Sequence, residues 1–395
     1  VKFVGIFAKG VKMKFFASCS DEEKNEVKNL WRYCFTDSDE YVDYYFENIY
    51  KKENNFIIKN NERIVCSLMT NKYKISIKDK ITDTSYIVGV SSSPTDRGHG
   101  FASELIKNTL NTLYQKKEQV AMLMPIDTSI YTRYAFTNIY DMLELDIPID
   151  RIKILKNDLK VSFYEDDKIA DLIYIYSQCV SKIDNFFVRD EKYFEKLVSE
   201  VRFENGHIMI CYDDNNKPIS YMLFYPKNDL GKSGFVREIF SINRQGYDAL
   251  FLVIKSHFTQ MSNITLHTYP YSDVFYYFEG DNKIKYTQKP FMMSRIINAK
   301  NILENIDTKE NLNIKVTDNI IKENNNVITV GKGISFISQN DFDIELDIYD
   351  LSKLYFGYES IKNIVFRKNI SIDCTLVEKI NRIFYKKVSY FNDYV

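Results

Sequence analysis

The chain has 395 residues, too many for one ordinary core, so two or three domains are expected. Its 53 Lys+Arg nearly cancel its 54 Asp+Glu, leaving no overall basic field to hold nucleic acid. Hydrophobic residues make up 45%, enough for packed domains, and no apolar run reaches the roughly 18 residues of a membrane-spanning helix.

Residues 1–12 hold a short apolar piece, Phe3 to Ala8, without a cleavage-site context. No signal peptide is expected there, and a start other than the native one upstream of Met13 is the reading adopted. Apolar and aromatic residues then recur at helical spacing in Asn25–Trp31 and Glu40–Tyr50. Phe56–Ile58 and Ile64–Leu68 flank Asn60-Asn61 and predict a hairpin. Further strands are expected at Tyr73–Ile77, Tyr86–Val90 and Val120–Met124.

The stretch Val90-Ser-Ser-Ser-Pro-Thr-Asp-Arg97-Gly98-His99-Gly100-Phe101-Ala102 carries the most chemical information. A strand precedes it, and Phe101, Leu105, Ile106, Leu110 and Leu113 follow at helical spacing. A small-residue turn opening a helix presents backbone N–H groups at a positive helix end, which suits a pyrophosphate. Two phosphate loops are excluded. Phe101-Ala102 stand where a P-loop needs Lys-Ser/Thr, and Ser103 stands where a dinucleotide fingerprint needs its third glycine. A glycine-containing turn without a ligand is the bland alternative. Arg97-x-x-Gly100-x-Ala102 resembles the acetyl-CoA loop of the Gcn5-related N-acetyltransferases (GNAT). Downstream, Tyr131-Thr-Arg-Tyr134-Ala135-Phe136 resembles that family's Tyr-x-x-x-Gly-Phe signature, with alanine at the glycine position.

A second segment, 151–290, repeats the order weakly. Helical Ile169–Val180 and Tyr193–Val201 precede strands at His207–Tyr212, Ile219–Tyr225 and Phe235–Ile239, then a helix at Ala249–Phe258. Its connection Ser241–Gly246 has one glycine and no Arg-x-x-Gly-x-Ala, so a degenerate copy without cofactor capacity is expected. From Phe291 a third pattern begins. Phe291–Ile297 reads as a strand and Asn298–Glu304 as a helix. Strands follow at Leu312–Val316, Asn326–Val330, Ile334–Ser338 and Ile344–Ile348, with helices at Asp350–Phe356 and Val377–Phe384. This tail resembles the sterol carrier protein fold. The fold class is thus α+β: tandem GNAT domains of mostly antiparallel sheets flanked by helices (13–150 and 151–290), then a sterol carrier-like domain (291–395).

Cysteines 19, 34, 66, 179, 211 and 374 form no CxxC, and the four histidines 99, 207, 257 and 267 lack zinc-site spacing. No metal is expected, and buried free thiols point to a reducing, cytoplasmic setting.

The whole arrangement resembles the enhanced intracellular survival (Eis) family. The resemblance implies an acetyl-CoA-dependent N-acetyltransferase acting on a primary amine of an aminoglycoside, polyamine or lysine-type acceptor. It implies that Val90, Ser91 and Ser92 pair with the pantetheine arm. Arg97, Gly98, His99, Gly100, Phe101, Ala102 and Ser103 would hold the pyrophosphate, and Ile126 and Asp127 would lie beside the cofactor on the next strand. Tyr131 would be the general acid, which the expulsion of a thiolate needs. The terminal carboxylate of Val395 would be the base. A homo-oligomer, as a hexamer, is implied, with neither nucleic acid nor membrane as partner; secretion by a non-classical route is known for some relatives. The competing readings are a lipid-carrying scaffold and an acyl-CoA sensor without turnover. Trp31, Phe35, Asp37, Asp39 and Glu40 are candidates for lining an amine pocket, with Asp37-Ser38-Asp39 as a plain helix cap the alternative.

Overall fold

The structure is a computed structural model that describes residues 3–8, 11–154, 156–226, 233–331 and 341–394, with backbone alone before residue 14. Val395 and the expected strand Ile334–Ser338 lie outside the described residues.

The first third runs β1 (Phe3–Ala8), β2 (Val11–Phe16), α1 (Lys24–Cys34), α2 (Asp39–Asn48), β3 (Asn55–Asn60), β4 (Arg63–Ile77), β5 (Lys80–Ser92), α3 (Phe101–Gln115), β6 (Val120–Leu123), α4 (Thr128–Thr132) and β7 (Thr137–Pro148). Ser38 caps α2, its Oγ accepting the Tyr41 amide at 3.2 Å, so the capping alternative holds for Ser38 itself. The β3–β4 turn places Asn61 and Glu62 at φ 49° and 68°, the paired left-handed geometry of a tight hairpin. The expected strands 64–68 and 73–77 are one continuous β4, because its apolar residues bury both ends of the same strand. Residues 3–16 add a hairpin that pairs with β3, an extension that alternation alone did not announce.

The middle runs β8 (Lys160–Phe163), α5 (Ile169–Val180), β9 (Asn185–Phe187), α6 (Glu191–Phe203), β10 (His207–Tyr212), β11 (Pro218–Tyr225), β12 (Ser233–Ser241), α7 (Arg244–Ser256), β13 (Asn263–Thr268), α8 (Asp273–Tyr277) and β14 (Lys285–Ile296). The order across the main sheet is β1-β2-β3-β4-β5-β6-β14-β7-β13-β12-β11-β10-β8. The two halves therefore exchange their last strands: β14 joins β6, and β7 joins β13. The expected boundary at 290 falls inside β14. The strand read as opening the third domain is part of the shared sheet, since Phe291, Met292 and Met293 are buried there.

The last part runs α9 (Ala299–Glu304), β15 (Leu312–Thr317), β16 (Val327–Val330), β17 (Ile344–Asp347), α10 (Ile348–Tyr355), α11 (Ile361–Lys368), α12 (Cys374–Ile383) and β18 (Ser389–Tyr390). β15 lies between β16 and β17, and its Ile314 and Val316 pack with Leu351, Leu354, Phe356, Ile364 and Ile380 in an apolar core continuous with the rest of the chain. Across that junction Arg295, fully buried, donates to the Tyr134 carbonyl at 2.6 Å and pairs with Asp318. All six cysteines are free, but only Cys19, Cys66 and Cys211 are buried; Cys34 and Cys179 are half-buried and Cys374 is exposed, against the expectation of buried thiols. Among the described residues no helix is long and apolar enough to cross a membrane.

Candidate active site

β5 and β6 run parallel and pair only from Thr84–Tyr86 to Val120–Met122. Beyond Tyr86 the strands part, leaving Val90, Ser91 and Ser92 on an edge. Just there β5 carries a bulge: Gly89 and Val90 together face the single residue Leu68, between the pairs Ser67–Ser91 and Met69–Val88. Gly89 sits at φ +59°, and a Cβ would come within 2.6 Å of Trp31 Cζ3, so only glycine fits. Parted strands with an open edge suit an extended arm that pairs by its own amides.

The loop after β5 is built from below. Asp96, buried, accepts from Ser93 Oγ at 2.7 Å, Thr95 Oγ1 at 2.8 Å and Arg63 Nη2 at 2.7 Å. Burial alone would raise its pKa, but those donors outweigh it and hold the carboxyl below the usual range. Sequence reading missed this anchor. Above it Arg97, Gly98, His99 and Gly100 are exposed, with the glycines at φ +81° and +86°. Gly100 is the N-cap of α3 and supplies no side-chain cap. The first-turn amides of Phe101, Ala102 and Ser103 are thus presented at a positive helix end, where an anion is favoured. Phe101 is buried, its ring 5.6 Å from that of His99.

Ile126 and Asp127 were expected on the next strand but lie beyond it, because β6 ends at Leu123. They form the exposed turn into α4, where Asp127 caps the helix by accepting the Ser129 amide at 2.8 Å. Tyr131 lies on α4, 9% exposed, with its ring edge-on to Phe136 at 6.3 Å. Its carbonyl accepts the Tyr134 and Phe136 amides, fixing the turn that follows. Burial pushes its phenol up to about 12, so it stays protonated through the neutral range. Ala135 has φ +61°, which explains the glycine of the related signature. Ala135→Gly is expected to stabilise the protein by roughly 0.5–1 kcal/mol, read as a higher urea midpoint.

The middle third repeats the notch but closes it. β12 and β13 are parallel and pair only from Ser233–Val236 to Asn263–Leu266. A one-residue bulge leaves Arg237 without a register partner on β11. The Arg237 carbonyl accepts the Asn392 side-chain amide at 2.7 Å, so the chain's own last segment occupies this place. The α7 N-terminus is also filled: Asn243 caps the Gly246 amide at 3.0 Å, and a Cβ on Gly246 would meet Ser241 Oγ at 2.3 Å.

That last segment is docked. Tyr390, Phe391, Asn392 and Asp393 are each no more than 2% exposed. Arg189 holds Glu238 with two bonds, 2.7 and 2.9 Å, and reaches Asp393 Oδ1 at 3.3 Å. Tyr221 and Tyr390 donate to Glu238 at 2.6 and 2.5 Å. Burial raises both carboxyls; the paired Arg189 outweighs it for Glu238, which is lowered, but not for singly bonded Asp393, which is pushed up to about 6. Tyr394 Oη lies 2.6 Å from His267 Nδ1, and His267 Nε2 lies 3.1 Å from Glu144. Burial drives His267 down to about 4, so the neutral ring accepts from Tyr394 and donates to Glu144.

The residues expected to line an amine pocket lie on α1, on α2 and in the turn between them. Trp31 is buried and donates to Asp37 at 2.7 Å, and its ring lies 5.5 Å from that of Phe35. Asp39 pairs with Arg32 at 2.8 Å and Glu40 is exposed. Glu200, Asp37 and Glu204 act on Tyr41, whose phenol burial already raises. A cavity of about 750 Å³ opens between α2, β4 and α6, with Tyr73 in its wall and Tyr73 edge-on to Tyr86 at 5.8 Å. Among the described residues no cluster of His, Cys, Asp and Glu is placed to hold a metal.

Domain-family comparison agrees with this architecture. An acetyltransferase (GNAT) domain matches residues 16–139, a second acetyltransferase (GNAT) domain matches 186–296, and a sterol carrier protein domain matches 294–392. The chain is therefore an acetyltransferase-class enzyme of two GNAT domains and a sterol carrier domain. Its fold is similar to a GCN5-related N-acetyltransferase from Anabaena variabilis (TM-score 0.84, 19% identity, covering 97% of this chain and 100% of that one). It is also similar to a conserved protein of unknown function from Enterococcus faecalis, described as a probable N-acyltransferase (0.84, 17%, 97% and 100%). Eis1 from Mycobacterium abscessus shares the fold as well (0.76, 12%, 97% and 100%). Comparison with curated protein sequences gave no match.

Proposed function

We propose that the chain is an acetyl-CoA-dependent amine N-acetyltransferase of the Eis type, with one working site in the first domain. The observation that carries this reading is the pairing of an uncapped α3 N-terminus at Gly100 with the opening between β5 and β6, while both counterparts in the second domain are filled by the chain itself. Val90–Ser92 would pair with the pantetheine arm, Arg97–Ser103 would hold the pyrophosphate, and Ile126 and Asp127 would border it. Acetyl-CoA would supply the activated acetyl group. Tyr131 would protonate the departing sulfur. By the family resemblance the base would come from the docked terminal segment, with the Val395 carboxylate the first candidate.

Calorimetry is expected to give one acetyl-CoA per chain. Gly100→Glu, which forces a side chain onto φ +86° and sets a negative charge beside the α3 N-terminus, is expected to weaken binding at least tenfold. Two equivalent sites, or unchanged affinity in the variant, would overturn the assignment.

The acceptor is a primary amine on this reading, as the family resemblance implies. The cavity wall carries Lys51, Lys72, Lys74, Lys192 and Lys196 against Asp83, Asp190 and Glu195. That excess repels a polycation, so lysine-type amines are favoured over aminoglycosides. CoA release assayed across lysine peptides, polyamines and aminoglycosides decides this order. The lipid-carrier alternative needs an open apolar chamber in the sterol carrier domain, whereas Ile314, Val316, Leu351, Leu354 and Phe356 are packed into the core. Homo-oligomerisation, as a hexamer, is tested by sedimentation, and a cytoplasmic location by fractionation.

A further inference from the structure

We propose that the second domain binds a free α-amino acid with an aromatic side chain, in a cavity of about 330 Å³ beyond the C-terminal ends of β12 and β13. These are the parallel pair of this half, and the crevice past the carboxyl ends of parallel strands is where a sheet flanked by helices takes its ligands. The chain's own residues fill the notch at Arg237 and the N-terminus of α7, but they leave this chamber open. Its volume lies at the small end of ligand cavities, which suits a metabolite of amino-acid size and not acetyl-CoA.

Four rings make the aromatic part of the wall: Phe240 at the end of β12, Tyr247 on α7, and Tyr269 and Tyr271 after β13. They offer edge and face contacts to a planar side chain. Tyr271 has φ +65°, a left-handed backbone that bulky residues rarely adopt and that clusters at ligand sites. The hydroxyls of Tyr269 and Tyr271 make no hydrogen bond among the described residues, so both are available to an occupant.

Two charged groups line the cavity, and their signs are opposite. Asp273 is the first residue of α8, and Lys182 follows the end of α5. Neither makes an ion pair or a side-chain hydrogen bond among the described residues. Cys179 shares the wall with them: burial raises its thiol to about 12, Asp273 adds to the rise and Lys182 opposes it. A simple anion is repelled by Asp273 and a simple cation by Lys182. A zwitterion satisfies both, with its ammonium at Asp273 and its carboxylate at Lys182.

The docked last segment closes the chamber. Val388 is part of the wall, and the Phe240 and Tyr269 rings meet that of Tyr390 at 5.0 and 5.5 Å. The occupant therefore stabilises the folded chain with its tail in place, and does so by mass action.

The probe is L-phenylalanine, titrated by calorimetry into the full chain, and one site per chain is expected. Asp273→Asn and Lys182→Met should each weaken binding at least about tenfold, the loss of one charge-assisted hydrogen bond. Both side chains are exposed, so each variant should keep its urea midpoint without ligand. N-acetylphenylalanine lacks the ammonium and phenethylamine lacks the carboxylate; each should bind at least about tenfold more weakly than phenylalanine. Saturating phenylalanine should raise the urea midpoint of the wild type, and the same concentration should raise that of Asp273→Asn less. The proposal falls if phenylalanine, tyrosine and tryptophan all fail to bind at millimolar concentration, or if they bind and neither variant weakens them. Phenethylamine binding as tightly as phenylalanine, with no response to Lys182→Met, would make this a site for cations and overturn the zwitterion assignment. None of these readouts involves acetyl transfer, so the outcome is independent of the function proposed above.

Discussion

Arg189→Met is expected to cost about 3–5 kcal/mol of stability at pH 8 and clearly less at pH 5, measured by urea unfolding at the two pH values. Arg189 is 6% exposed and faces two carboxylates, both no more than 2% exposed. Removing the cation leaves Glu238 and Asp393 buried without a counter-charge, and burial then raises both pKa values above those of the unfolded chain. Folded pKa values above the unfolded ones mean stability that is present at low pH and is lost as pH rises through the folded values. The deficit must therefore grow from pH 5 to pH 8. A deficit that is flat with pH would mean that Arg189 acts by packing, through its guanidinium 4.3 Å over the Tyr176 ring, rather than by charge. The same network bears on truncation. Phe391 is fully buried, Asn392 bonds to the Arg237 carbonyl and Asp393 to Arg189, so removing the last five residues strips part of the core shared by the three domains. A truncated protein is expected to lose stability as well as activity, which makes point variants the cleaner probes of the tail.

Local signals in the chain were strong where one element decides its own conformation. The helical spacing of Phe101, Leu105, Ile106, Leu110 and Leu113 reappears as the buried face of α3, and His207–Tyr212 is a strand with the bounds expected of it. The glycine-bearing loop was readable because positive φ at Gly98 and Gly100 follows from residue type. Long-range pairing was hidden. Nothing in Phe291–Ile297 tells a strand that opens a new domain from one that crosses into the sheet of the first, because either is equally apolar. The Arg189–Glu238–Asp393 network joins residues 49 and 204 positions apart, and no local period marks such a contact. Aromatic residues at 390, 391 and 394 suit a docked tail rather than a frayed one, but the partner of Asn392 does not follow from them. Ala135 carried a usable signal. Its place at the glycine of a related signature could have been read as left-handed backbone, a reading not made, and φ is +61° there.

Tyr131→Phe is expected to lower kcat by about 100-fold or more while leaving acetyl-CoA affinity within about twofold. The variant is a narrow probe, because phenylalanine keeps what holds the residue in place. The ring still meets Phe136 edge-on, and the main-chain carbonyl still accepts from Tyr134 and Phe136. The hydroxyl takes no hydrogen bond from the described residues, so its loss should change stability by less than about 0.5 kcal/mol. An effect on kcat alone would then belong to the step in which the sulfur gains its proton, where expelling a bare thiolate is the harder course. The phenol, pushed up to about 12, makes a second expectation. Wild-type kcat should show no alkaline fall from this group below about pH 11, since a donor that remains protonated imposes no basic limb. A fall centred near 10, kept in the phenylalanine variant, would trace to another group. Unchanged kcat in Tyr131→Phe would make this tyrosine a packing residue and send the search for the acid to another hydroxyl near the point where β5 and β6 part.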